Sequence, residues 1–129
     1  MEPARLHLLV GWTGMVAGAV SGAAIGLYFH DDRWMGGYGS FRRRMVRLGH
    51  IAFFGLGIIN VLFALSLSAA PLPPAYLRLA STGFIVAVIA MPACCFLTAW
   101  REGFRHLFPV PVLAVLCGLA GLLGGMLLT

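Results

Sequence analysis

The chain has 129 residues, 60% of them hydrophobic and 10% charged, with nine basic side chains against four acids and a formal net charge of +5. Soluble domains carry about 25% charged residues, so this composition excludes an ordinary water-soluble fold and leaves little chain for a soluble domain beside the apolar stretches. The basic residues flank apolar runs and no soluble recognition motif accompanies them, which argues against nucleic acid as a partner and for anionic lipid headgroups.

Four stretches reach the roughly 20 residues needed to cross a hydrocarbon core: about Leu6 to Phe29, Arg47 to Ala69, Tyr76 to Thr98 and Leu107 to Leu128. They predict one all-α membrane domain, residues 1–129, built as a bundle of four transmembrane helices. Arg5 ahead of an apolar run, with small residues at Ala19 to Ala23, resembles a secretory leader, but the run continues through Phe29 and is expected to stay as a span.

The first span contains GMVAGAVSGAAIG, with Gly14, Gly18, Gly22 and Gly26 four residues apart. In water such a helix would be poor, since each internal glycine costs roughly 0.5–1 kcal/mol relative to alanine. In lipid, where apolar side chains gain little by meeting one another, a ridge of small residues lets two backbones approach closely. The ridge is therefore expected to dock a helix from this chain, from a second copy or from another membrane subunit.

The segment HDDRWMGGYGSFRRRMVR follows, with Gly36, Gly37 and Gly39 available for tight turns and Ser40 placed to cap a short interfacial helix carrying Arg42, Arg43 and Arg44. These three arginines are expected to dock lipid headgroups or a protein partner. In the second span His50, Phe53, Gly57, Asn60, Ala64 and Ser68 recur at steps of three or four and form one drifting stripe. An amide at the depth of Asn60 needs a partner on another helix or a ligand. His50 is expected either to bond another helix, with Thr98 a candidate, or to meet a quinone together with Arg47 and Asn60.

Pro71, Pro73 and Pro74 stop the second span and restrict the approach to the third, where Pro92 removes an amide donor and is expected to kink the helix. Cys94, Cys95 and Cys117 fall inside spans without a CxxC pattern and read as small packing residues. The fourth span opens on HLFPVPV, where prolines suit a first turn, and Gly121 and Gly125 again make a helix-packing face.

All nine basic residues are arginine. Arg33, Arg42, Arg43, Arg44 and Arg47 lie in or beside the first loop, and Arg101 and Arg105 in the third; only Arg5 and Arg78 lie on the opposite side. The excess of positive charge predicts cytoplasmic first and third loops, with the N-terminus and C-terminus outside. The composition suits a multi-pass protein of the bacterial inner membrane.

His30, His50 and His106 fall at one depth near the arginine-rich side, while His7 stands apart at the other. Two of the three are candidate axial ligands for haem b, but no HxxxH or HExxH spacing places a pair on one face, and no metal site is predicted. Glu2, Asp31, Asp32 and Glu102 all lie at ends or in loops, which argues against an exchanger built on a buried carboxylate. No catalytic residue is assigned and an enzyme is not the favoured reading. The expected function is a small non-catalytic membrane subunit or scaffold that packs through its glycines, by self-association or with other subunits. The alternatives are a haem b- or quinone-binding redox anchor and, more weakly, a homo-oligomeric pore.

Overall fold

Pro3 occupies the first turn of a helix, where its missing amide hydrogen costs nothing, and the chain stays helical from Pro3 to Leu27 (α1). The computed structural model describes residues 1–128 and contains three further long helices: Phe41–Ala69 (α2), Pro74–Trp100 (α3) and Pro109–Met126 (α4). Short 3-10 segments at Trp34–Gly36 and Glu102–Leu107 precede α2 and α4. The protein is all-α, and these four helical regions are long and apolar enough to cross a membrane, as befits a multi-pass integral membrane protein.

The second helix starts six residues before the expected span. Ser40 explains this: its side chain accepts a hydrogen bond from the Arg43 amide at 3.2 Å, so FRRRMVR and the apolar run behind it form one uninterrupted helix. Pro73 and Pro74 start α3, and α3 continues through Pro92 to Trp100.

The helices form a row. α1 packs on α2, α2 on α3 and α3 on α4, whereas α1 and α3 barely meet. The α1–α2 contact is set by glycine: a methyl group added at Gly11 would lie 2.6 Å from the Gly57 carbonyl oxygen, and one at Gly57 would lie 2.8 Å from that of Gly11. Two turns further along, Gly18 makes room for the Phe54 ring and Gly22 for His50, while Gly14 meets Val88 and Phe53; Gly26 has nothing within 4 Å. Within this chain, therefore, the glycine face of α1 lies against α2 as far as Gly22.

The α3–α4 pair uses the same device. A methyl at Gly83 would come within 2.6 Å of both the Ala114 carbonyl oxygen and the Gly118 nitrogen, Gly121 lies against the backbone of Ala80, and Gly125 against Leu72 and Tyr76. Between the two pairs, Leu56, Ala87 and Val88 form one buried cluster and Phe63, Ala80 and Phe84 another. In hydrocarbon this close approach replaces the hydrophobic driving force that would hold a soluble bundle together.

Candidate functional site

His7, Asn60 and Ser81, from three different helices, meet near the end of the row that carries the chain's N-terminus. His7 and Asn60 are both fully buried. The Asn60 side-chain amide donates to the Leu56 carbonyl at 2.8 Å and to the Phe84 carbonyl at 3.4 Å, so its oxygen is the atom that faces His7. That oxygen can only accept. His7 therefore carries its proton on Nδ1, which donates to Asn60 Oδ1 at 2.6 Å, and in the neutral ring Nε2 accepts from the Ser81 hydroxyl at 2.8 Å. The edge of the Phe63 ring packs against the imidazole, with centroids 4.6 Å apart.

Every donor and acceptor of this triad has a partner, which is what an interior without water requires. Its effect is positional, because one imidazole ties α1 simultaneously to α2 and α3 and fixes the register of all three. Sequence reasoning set His7 apart as a lone outer histidine and did not single out Ser81. A signal for His7 was present: it lies one turn before Gly11, on the same α1 face as Gly11, Gly14 and Gly18. Nothing in the spacing of Ser81 distinguishes it from an ordinary span serine.

Asn60 thus belongs to this triad and is not grouped with His50 and Arg47. His50 lies on another part of α2, half-buried, with Nδ1–H donating to the Gly18 carbonyl of α1 at 2.7 Å and its ring edge-on to Phe54. The partner of His50 is a backbone carbonyl of α1 and not Thr98, whose buried hydroxyl on α3 has no hydrogen-bond partner among the described residues. Its Nε2 has no hydrogen-bond partner among the described residues. Arg47, one turn earlier, places its guanidinium 4.7 Å from the centre of the Tyr38 ring.

His30 and His106 are exposed, the first just beyond α1 and the second in the 3-10 segment Glu102–Leu107. Among the described residues no three or more histidine, cysteine, aspartate or glutamate side chains gather as a metal-holding group. Cys94 and Cys95 are buried in α3 and Cys117 is exposed on α4, all as free thiols.

At the opposite, arginine-rich end, the three consecutive arginines divide their roles. Arg43 is only 1% exposed. Its guanidinium donates to the carbonyls of Asp31 and Phe29, each at 3.3 Å, and lies 5.1–5.5 Å from the ring centres of Phe29, Trp34 and Tyr38. Arg43, expected among the docking arginines, instead pins the 28–40 segment onto α2. The backbone there bends sharply: Met35, Gly36 and Gly37 have φ of 54°, 88° and 97°, and Ser40 holds the bend by donating its hydroxyl to the Met35 carbonyl at 2.7 Å. Arg42 and Arg44 are exposed. Arg42 uses only Nε, which donates to the Ala99 carbonyl at the end of α3 at 2.9 Å, where the helix dipole favours a cation.

A third feature is an open apolar groove of about 430 Å3 between α1 and α3. It exists because both helices rest on α2 without closing on each other. Gly14 and Ala17 hollow one wall and Ala93 the other, with Phe53 as floor and Phe96 at one end. Comparison with protein-family models, with curated proteins and with solved structures finds no match for the chain.

Proposed function

We propose that the protein is a small, non-catalytic integral membrane subunit or scaffold of the bacterial inner membrane. Both termini lie outside, and the arginine-rich loops lie in the cytoplasm, where exposed arginines such as Arg33, Arg44 and Arg105 dock the acidic surface of a protein partner. The supporting observation is that both histidines within the spans serve helix-to-helix contact: His7 bonds Asn60 and Ser81, and His50 bonds the Gly18 backbone. Packing of α2 into the α1 glycine face favours this reading over a pore lined by that face.

The test is charge reversal of Arg33, Arg44 and Arg105 together. Purified from native membranes in mild detergent, the unmodified protein is expected to carry a stoichiometric partner that the triple variant releases while keeping its own helical content. A single-chain particle with no partner, unchanged by the reversal, overturns the scaffold reading. Fusion of a periplasm-dependent reporter to either terminus tests orientation: activity at both ends is expected, and inactivity at both overturns it.

A redox anchor is the second reading, favoured by one observation. The Gly18 carbonyl holds the proton of His50 on Nδ1, which leaves Nε2 as a bare acceptor one turn from Arg47. That nitrogen suits haem iron or a quinol hydroxyl. A reduced-minus-oxidised visible spectrum of protein from native membranes checks the haem form: a sharp band typical of b-type haem that His50→Ala removes supports it, and a flat spectrum ends it.

A further inference from the structure

The groove between α1 and α3 has dimensions and surroundings that select an occupant. Its walls run from Leu9 to Ala17 and from Val88 to Phe96, nine residues on each helix or about 12 Å of rise. At its base the two walls nearly touch, since a methyl added at Gly14 of α1 would lie 3.2 Å from the Val88 side chain of α3. A helix with its side chains is about 10–12 Å wide and does not enter. A single alkyl chain does, since carbon atoms need only about 3.5–4.0 Å of separation from each wall atom. The lining is apolar apart from the Thr13 hydroxyl, and the small residues Gly14, Ala17 and Ala93 provide the depth.

A cation lies further along α3, beyond the Phe96 end of the groove. Trp34 and Met35 pack against Ile25, Val46 and Ala99 and plug the gap between α1 and α3 beyond Phe96. A chain lying in the groove must turn outward there. Three residues past Phe96, about 4.5 Å along α3, the Ala99 carbonyl anchors Arg42 through Nε at 2.9 Å. The anchor orients an exposed guanidinium whose two terminal nitrogens have no partner among the described residues, the fork geometry that meets a phosphate. Seven of the nine arginines gather at this end against three acids, Asp31, Asp32 and Glu102.

We propose that this groove holds one acyl chain of an anionic phospholipid whose phosphate is bound by Arg42. The site makes the lipid a resident component of the protein, distinct from the exchanging lipid around it. It rests on the membrane placement of the four helices and not on the scaffold role, so it stands or falls separately from a protein partner.

The experiment is native mass spectrometry of the delipidated full chain titrated with dioleoylphosphatidylglycerol or dioleoylphosphatidylcholine. The expected result is a single phosphatidylglycerol adduct at a concentration about tenfold below that needed for phosphatidylcholine, with Arg42→Gln removing the preference. Ala93→Phe, which fills the groove from α3, and Thr13→Phe, which fills it from α1, are each expected to abolish the retained adduct. Both positions are exposed in the isolated chain, so neither enlargement has to displace buried packing. Equal retention of the two lipids overturns the proposal. So does loss with Arg42→Gln but not with either phenylalanine, which restricts binding to the headgroup surface. Conversion of a dimer to a monomer by Ala93→Phe also overturns it, because the groove then holds a second copy.

Discussion

His7 and Asn60 stand 53 residues apart in the chain and 2.6 Å apart in space, joined by an Nδ1–H to Oδ1 hydrogen bond between two predominantly apolar helices. The bond is directional, because the Asn60 amide nitrogen is already engaged by the carbonyls of Leu56 and Phe84. With Ser81 on the other ring nitrogen, the imidazole has one proton arrangement that satisfies every neighbour. This junction determines how α1 sits on α2 and α3 near their shared end.

Asn60→Leu is expected to destabilise the protein by about 1–3 kcal/mol, since it leaves the His7 N–H buried without an acceptor. The double variant His7→Leu/Asn60→Leu should cost less than the sum of the singles, with a coupling of about 0.6 to 1.7 kcal/mol for a hydrogen bond between membrane helices. Unfolding in mixed micelles of mild detergent and dodecyl sulfate, followed by circular dichroism, measures all four corners of the cycle. Additive effects would show that the bond contributes nothing to stability.

Gly83→Ala is expected to force α3 and α4 apart. Its methyl would sit 2.6 Å from two backbone atoms of α4, which cannot rotate away as a side chain can, and overpacking of this kind costs about 1–3 kcal/mol. Gly55→Ala is the control, because nothing lies within 4 Å of the added methyl and alanine is the better helix former. The midpoint temperature in detergent should fall for the first and stay level or rise for the second.

Arg43→Lys should release the 28–40 segment while leaving the helices folded. Lysine keeps the charge but loses the planar fork that reaches both the Asp31 and Phe29 carbonyls and lies among three aromatic rings. Hydrogen exchange over residues 28–40 is expected to accelerate about tenfold, with α3 and α4 unchanged, if the clip contributes about 1.4 kcal/mol. Unaltered exchange there would mean that backbone turns alone hold the segment.

Ser40→Ala removes two bonds with one oxygen: the cap accepted from the Arg43 amide and the tie donated to the Met35 carbonyl. A lost helix cap costs about 0.5–2 kcal/mol. The first turn of α2 should fray, seen as faster exchange at Arg42 to Arg44, and the bend at Met35, whose φ of 54° is unfavourable for a side chain with a Cβ, should relax.

Composition and hydropathy alone were enough to read four long apolar helices, because crossing a hydrocarbon layer demands length and apolarity that no other arrangement of 129 residues at 10% charge would need. The role of Ser40 as a cap was also legible, since capping depends on a few neighbouring residues. So was the need of Asn60 for a partner, which follows from the cost of a bare amide in hydrocarbon. The identity of that partner was not legible. A side chain that seeks any donor within reach accepts whichever one the helix register delivers, and the register of α1, α2 and α3 is a property of their mutual packing. The same reason separates Arg42, Arg43 and Arg44, identical in the sequence, into an anchored cation, a buried clip and an exposed charge. Helical rotation turns successive residues about 100° apart, and only the tertiary structure decided which of those directions met Ala99, which met the 28–40 segment and which met open surroundings.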